Sequence, residues 1–208
     1  QEAKEVPMEE KVDFEWLGQI LKQRMLPVEK ILTAKGKTLI NQMAVLYHLT
    51  NQEIEKALIW SINEEKDFLF NEFKEACLYI SGGEKQHIAL NIASEKQKIS
   101  VQQTRKAPKS REERFIEMLE RKSPKEVLED LADGNQASQQ DLKIISDVMT
   151  SQGLNPGVMN VLIHYVLLKT DMKLSRSYLE KIASHWARKN VKSVRQAMTL
   201  AKSENKKY

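Results

Sequence analysis

Apolar residues in the first 83 positions recur at intervals of three and four, which is the spacing of one face of a helix. The pattern predicts helices over 14–21, 28–33 and 38–46, one that begins at Thr50 or Asn51, and one over 67–80. Pro27 suits the first turn of the second helix, Thr38 suits the N-cap of the third, and Gly36 separates the two. The run from Ser81 to Gly83 ends the last helix, since glycine favours the conformation that follows a helix.

The helical pattern restarts after a polar stretch. Between Ser94 and Glu112 the apolar content collapses, which is typical of a flexible linker. Beyond it the pattern predicts helices over 113–121, 124–131, 138–152, 158–169, 178–190 and 193–202. Ser123 and Asn155 each precede a proline, which marks the N-cap and first turn of a helix. No stretch shows sustained alternation with a period of two, so we expect no sheet.

These patterns predict an all-α protein that consists of two small helical bundles joined by a polar linker. The predicted parts are a polar lead-in (1–10), a first domain (11–93), the linker (94–112) and a second domain (113–208). The order of helices in the second domain repeats the order in the first. We interpret the two domains as copies of one helical unit.

An aromatic stripe marks the second copy. Tyr178, Ile182 and Trp186 stand at i, i+4 and i+8, so they share one side of a helix. The first copy has Leu69 and Cys77 where the second has its aromatic residues, and no basic run follows them. We expect Ile182 to pack inward and both aromatic rings to lie at the boundary of the core, each with a polar atom near water.

Charge separates the two halves. The net charge is +4 overall, but residues 1–80 hold 10 Lys and Arg against 14 Asp and Glu, a net of −4. Residues 173–208 hold 10 basic and 2 acidic residues, a net of +8. Such asymmetry indicates a polyanionic partner for the C-terminal end. The single cysteine favours a reducing compartment, so we expect a cytoplasmic protein. The chain begins at Gln1 without a methionine, and we expect it to be a piece of a longer protein.

Aromatic rings next to clustered cations are typical of surfaces that bind single-stranded nucleic acid, where bases stack on rings and cations meet phosphates. The predicted DNA-binding residues are Tyr178, Lys181, Ile182, Trp186, Arg188, Lys189, Lys192, Arg195 and Lys202, with Lys173 and Arg176 as further phosphate candidates. Two alternatives remain open: an aromatic stripe at helical spacing is usually core, and a charged run is usually a solvated face.

The stripe, followed by a Val-Lys-Ser-Val-Arg-Gln-Ala helix at 191–197, resembles the C-terminal domain of the DnaD/DnaB replication-initiation family of low-GC Gram-positive bacteria. The resemblance covers about 113–203 by motif and 11–83 by helix order alone. Two such units in tandem are similar to the helicase co-loader branch of that family, which is distinct from the replicative helicase. The resemblance links the stripe and the cations after it to DNA binding.

The resemblance also implies partners. They are single-stranded DNA, with duplex DNA left open, the DnaD protein, the helicase loader, the replicative helicase and further copies of the same chain. A place at the nucleoid and peripheral membrane association of the full-length protein are implied as well. The first unit departs from the motif, so we expect it to contact protein and to supply an assembly surface instead of binding DNA.

The sequence offers no catalytic constellation, and we expect neither an enzyme nor a cofactor. The fragment from Gly36 to Thr38 resembles the end of a phosphate-binding loop, but Ile31 stands where that loop needs glycine. The four histidines lack the spacing of a zinc site. Cys77 lies on an apolar stripe and is expected in the core. The competing function is a protein-interaction and oligomerisation module whose basic face binds an acidic partner without direct contact to DNA.

Overall fold

The computed structural model describes residues 12–83 and 109–205 of the 208-residue chain. In these ranges the regular structure is helical, and extended pairing is limited to one isolated bridge between Ile62 and Phe68. The all-α prediction is confirmed. The chain divides into two compact units, Gln1–Cys77 and Leu78–Tyr208, and each has its own apolar core. The predicted lead-in, residues 84–93 and the linker up to residue 108 lie outside the described residues, so the predicted domain limits stay a prediction.

The first unit is built from helices of modest length. In the described residues they are α1 (Phe14–Gln23), α2 (Val28–Ile31), α3 (Ala34–Tyr47), α4 (Asn51–Trp60) and α5 (Phe70–Gly83), whose last six residues, 78–83, belong to the second unit. Leu17, Ile40, Met43 and Phe73 are fully buried between them. Thr50 begins α4 with a capping box, as one of the two predicted alternatives requires.

Helix α3 begins earlier than predicted. The N-cap is Thr33 instead of Thr38, and its hydroxyl oxygen accepts a hydrogen bond from the Gly36 N–H at 3.0 Å. Thr38 lies inside the helix, where its hydroxyl donates to the Ala34 carbonyl at 2.9 Å. Gly36 therefore does not interrupt the chain. It lies in the first turn, where a Cβ would come within 2.0 Å of the Ile31 carbonyl oxygen, so only glycine fits.

Other predicted boundaries in the first unit are also corrected. Pro27 is the N-cap of α2 instead of a first-turn residue, and α2 ends two residues early because the chain then caps α3. Helix α5 begins at Phe70 instead of residue 67. The residues before it form a turn, which is closed by a 2.9 Å hydrogen bond from the Leu69 N–H to the Ser61 carbonyl. Helix α5 also continues through Gly83, so the run from residue 81 does not end it.

The second unit follows the predicted order closely. Its helices are α6 (Arg111–Arg121), α7 (Pro124–Leu131), α8 (Gln139–Gln152), α9 (Pro156–Lys169), α10 (Arg176–Arg188) and α11 (Val194–Asn205). Ser123, Ser138 and Asn155 cap their helices through the side chain, as predicted for the first and third. Helix α6 begins at 111 instead of 113 because Ser110 forms a capping box with Glu113, so the end of the predicted linker is helical.

Helix α9 is the centre of the second unit. It is apolar on nearly all sides and contacts α6, α7, α10 and α11, as a helix buried in a core does. Its one fully buried amide side chain is that of Asn160, whose Nδ2 donates to the Leu119 carbonyl at 2.9 Å and the Lys122 carbonyl at 2.7 Å. These carbonyls end α6, where the helix cannot satisfy them itself. Asn160 thereby fixes the end of α6 against the core.

Candidate nucleic-acid interface

Helix α10 carries the predicted aromatic stripe. It follows Ser175, which occupies the N-cap position without a side-chain hydrogen bond to the helix. Its buried residues are Leu179, Ile182, Ala183 and Trp186, spaced i, i+3, i+4 and i+7, and they pack this side of the helix against α8 and α9. The opposite side of α10 faces solvent. The helix therefore presents one apolar and one polar face, as an amphipathic surface helix does.

Trp186 is fully buried, with no exposed surface. Its ring packs against Tyr165 of α9, with the ring centroids 6.2 Å apart. Its Nε1 has no hydrogen-bond partner among the described residues. The expectation that this indole lies at the core boundary with its N–H near water is wrong. A base cannot stack on a ring that is sealed on every side, so Trp186 acts here as a core residue.

Helix geometry explains why the three residues of the aromatic stripe differ in burial. A step of four residues turns about 40° beyond a full turn, so Tyr178, Ile182 and Trp186 drift by about 80° in all. Tyr178 lies at the edge of the buried face and is half-buried, whereas Trp186 lies near its centre beside Leu179. Ile182 is buried, as expected. The three residues share a side of the helix but differ in their access to solvent.

A second row along α10 is exposed. Lys181, His185 and Arg188 follow Tyr178 at i+3, i+7 and i+10, so the four residues form a continuous row along the helix. The Tyr178 ring, at the start of this row, is half-buried. Lys189 follows directly at the end of the helix and is also exposed. The Arg188 Nη2 donates to Ser184 Oγ at 3.0 Å. This row brings one accessible aromatic ring together with cations.

We call Lys181, Arg188, Lys189 and Lys192 the α10 cluster. All four side chains are exposed, and none has a carboxylate within 4.0 Å in the described ranges 12–83 and 109–205. Elsewhere in the chain several exposed cations are paired, such as Arg24 with Glu55 at 2.6 Å and Lys30 with Asp67 at 3.0 Å. Arg176, a further phosphate candidate, is likewise held by Asp147 at 3.1 Å. The cations of the α10 cluster are therefore available to bind an external anion.

The cations of α11 lie apart from the α10 cluster. Lys202 pairs with Glu112 of α6 at 2.7 Å, while Glu204 lies 3.3 Å from His185 of α10. Residues 202 and 204 are separated by about 200° around a helix. The two contacts therefore lie on opposite sides of α11, and Arg195, seven residues before Lys202, lies on the side of α6. The nine predicted residues do not form one continuous surface.

The turn between α10 and α11 is tied to the core. The Asn155 side-chain amide donates to the Lys192 carbonyl, and the Lys192 N–H donates to the Gln196 side chain at 2.9 Å. Gly157 lies so close to α11 that a Cβ there would come within 2.9 Å of Val194 Cγ2. These contacts fix the backbone that carries Lys192 while its side chain remains exposed. The basic turn is therefore positioned before any ligand binds.

The structure also describes the environment of the cysteine, a histidine and the fragment that resembles a phosphate loop. Cys77 is fully buried, as expected, and burial raises the pKa of its thiol, with Glu53 acting in the same direction. Burial also lowers the pKa of His164, whose ring lies edge-on to Phe115. The fragment that resembles a phosphate loop lies in α3. In the described parts of the chain, no group of three His, Cys, Asp or Glu side chains is arranged to hold a metal ion.

The structure adds two residues that the sequence analysis did not single out. Tyr165 packs against Trp186, but it stands in an apolar helix whose pattern offers no signal for this pairing. Glu112 binds Lys202 from a position that the sequence assigns to the linker. A serine followed three residues later by glutamate, at Ser110 and Glu113, is the capping-box signal that could have placed Glu112 in a helix.

The chain is similar to proteins of replication initiation. Residues 126–200 match the model of the family described as replication initiation and membrane attachment. Over 199 residues the chain is 30% identical to a Staphylococcus aureus protein described as the replicative helicase loading/DNA remodeling protein DnaB. That match covers 94% of this chain and 42% of the relative, so the chain spans less than half of the relative's length. No solved structure matches the chain. Among the described residues, no helix has the length and apolar content needed to cross a bilayer.

Proposed function

We propose that this chain, whose residues 126–200 match the model of the replication initiation and membrane attachment family, is an adaptor for loading the replicative helicase that binds single-stranded DNA through its second unit. Helicase loading is the function in the name of the Staphylococcus aureus relative. The DNA-binding part of the proposal is carried by one observation: the exposed α10 cluster has no carboxylate partner among the described residues.

The proposed contact is mainly electrostatic. Lys181, Arg188, Lys189 and Lys192 neutralise phosphates, and the half-buried ring of Tyr178 provides the one accessible aromatic edge in the row. Trp186 supports this surface from below by anchoring α10 to the core. No element positioned to read base edges accompanies the cluster, so we expect little preference for sequence. Duplex DNA is the natural comparison ligand, since its phosphates attract the same cations.

The first unit serves assembly in this proposal. Residues 1–80 carry a net charge of −4, which disfavours DNA. Trp60 and Phe70, at the two ends of the turn before α5, expose 65% and 38% of their surface. Exposed aromatic residues of this kind are enriched at protein interfaces. We propose that this surface contacts further copies of the chain or the helicase-loading proteins, DnaD, the loader and the helicase.

The adaptor needs no cofactor and performs no catalytic step in this account. It holds DNA and a protein partner together, which raises their effective concentration for each other. The proposed location is the cytoplasm, at the nucleoid, with peripheral membrane association of the full-length protein. The membrane part rests on the description of the family alone.

A second candidate is favoured by the burial of Trp186. An aromatic stripe that serves the core leaves only Tyr178 for stacking, which is compatible with a basic face that binds an acidic protein. In that case the chain is an interaction and oligomerisation module without direct DNA binding. The two candidates differ in whether purified chain binds DNA in the absence of other proteins.

The test measures fluorescence anisotropy of a labelled oligo-dT during titration with the purified chain at low salt. The cluster variant is Lys181→Gln/Arg188→Gln/Lys189→Gln. The control variant, Lys22→Gln/Lys35→Gln/Lys143→Gln, removes the same charge from exposed lysines outside the cluster. We expect the cluster variant to lose at least tenfold in affinity and the control to change about twofold or less. Equal losses in both variants, or no binding by the parent chain, would refute DNA binding at this surface.

A further inference from the structure

One cation of α11, that of Lys202, is paired with an internal anion. Glu112, in the first turn of α6, places its Oε1 2.7 Å from the Lys202 Nζ, ninety residues away along the chain. The hydrogen bond from Lys202 lowers the pKa of the Glu112 carboxyl, and the nearby positive charge of Arg195 lowers it further. The Glu112 carboxylate therefore interacts electrostatically with both Lys202 and Arg195, two of the residues that the sequence predicts to bind phosphate.

Glu112 takes no part in the capping box of its own helix. The capping box at this end uses Ser110 and Glu113, which exchange hydrogen bonds of 3.1 Å. Glu112 and Lys202 each expose 61% of the side chain. Such a pair is weakly held, because water and salt screen it, so another anion can displace it without unfolding the helix.

A carboxylate and a phosphate offer the same cations negatively charged oxygen atoms at hydrogen-bonding distance. Arg195 and Lys202 lie seven residues apart on one side of α11, about 10 Å along the helix, so two phosphates of the same strand can contact both side chains. Lys192, the last residue of the α10 cluster, stands three residues before Arg195 along the chain.

We propose that Arg195 and Lys202 form a second phosphate-binding position for single-stranded DNA, and that Glu112 masks it as an internal competitor. This inference rests on the proposed DNA binding by the α10 cluster. A strand that continues past Lys192 displaces Glu112 and gains these two cations. In the free protein the mask limits binding to the α10 cluster, which keeps affinity for short or scattered anions low.

The test compares Glu112→Gln with Glu120→Gln. Both remove one negative charge from α6, but Glu120 is exposed, lies about 12 Å further along the helix and has no ion pair within the described ranges. Anisotropy titrations with long oligo-dT are run across a salt series. We expect Glu112→Gln to bind long oligo-dT about twofold to fivefold more tightly than Glu120→Gln, because no internal anion then has to be displaced from an exposed ion pair.

A mutant cycle tests whether the effect of Glu112 acts through Lys202 and Arg195. In a Lys202→Gln/Arg195→Gln background, Glu112→Gln should give no more gain than Glu120→Gln, since no masked cation remains. If the parent binds and Glu112→Gln behaves as Glu120→Gln does, the mask is refuted while DNA binding at the α10 cluster stands. If the parent fails to bind at any salt concentration, both proposals fall. Thermal melts of the variants, expected to match the parent, exclude an indirect effect through folding.

Discussion

The ring of Trp186 packs against the ring of Tyr165 with a centroid separation of 6.2 Å and an interplanar angle of 44°. This contact joins α10 to the central helix α9. The exposed cations of α10 are positioned by it, because the side of the helix that carries Lys181 and Arg188 lies opposite the side that Trp186 buries. In this account the tryptophan supports the DNA-binding surface without touching DNA.

The burial of Trp186 predicts a change in stability and not in contact with DNA. Trp186→Ala should lower the free energy of unfolding by about 3–5 kcal/mol, because it leaves a large cavity. Trp186→Leu should cost less, since it refills part of the space and removes an indole N–H that has no partner among the described residues. Urea denaturation measures both. Under conditions where Trp186→Leu is folded, its affinity for oligo-dT should equal that of the parent, and a selective loss would show that the indole stacks on bases.

Tyr178 provides the matched contrast on the same helix. Its half-buried ring lies at the edge of the exposed row, so Tyr178→Leu should weaken binding by up to about 1–3 kcal/mol, the usual range for one stacked base. Tyr178→Phe keeps the ring and should bind as the parent does. Titrations of the three proteins with oligo-dT decide the matter, and equal affinity of the Leu and Phe variants would exclude stacking on this ring.

Asn160 should be important for stability despite its distance from the basic surface. Its amide group donates to two carbonyls at the end of α6, and Asn160→Ala leaves both without this donor in a buried place. We expect a loss of about 1–3 kcal/mol in the free energy of unfolding. Asn135→Ala, in an exposed loop of the same unit, should change it by less than about 0.5 kcal/mol. Chemical denaturation of both variants is the measurement, and equal effects would contradict the assigned role.

The thiol of Cys77 predicts a dependence on alkaline pH. Burial raises its pKa in the folded state, so the unfolded chain loses the proton first, at a pKa of about 8.5. The stabilising contribution is complete below that pH and is lost as the pH rises above it, by at most about 1.4 kcal/mol per pH unit. Denaturation at pH 7.5 to 10 should show a steeper decline for the parent than for Cys77→Ala. Parallel declines would mean that the thiol titrates alike in both states.

The helices of this protein follow mainly from local features of the sequence. Helical spacing and caps such as Asn155-Pro156 are local signals, so the sequence predicts every helix of the second unit, with ends that differ from the structure by up to three residues. The sequence favours Thr38 as the N-cap of α3 because Gly36 indicates a break in the helix. In the structure Gly36 lies in the first turn of α3, where the Ile31 carbonyl oxygen leaves no room for a Cβ, and helical periodicity does not report this contact.

The site shows a similar limit. Helical periodicity placed Tyr178 and Trp186 on one side of α10, but it does not state where the centre of the buried face lies. That depends on how α8 and α9 pack against the helix. The division of the cations between two sides of α11 likewise depends on contacts with Glu112 and His185. Charge counting alone could not separate Lys202 from the α10 cluster.

The salt dependence of oligo-dT binding tests the central claim most directly. With an oligo-dT too short to continue past Lys192, the four cations of the α10 cluster should give a slope of log K against log salt of about −2.8 for the parent chain. The variant Lys181→Gln/Arg188→Gln/Lys189→Gln should show a slope shallower by about 2, while Lys22→Gln/Lys35→Gln/Lys143→Gln keeps the parent slope. A flat response in the parent, or an unchanged slope in the cluster variant, would contradict the account.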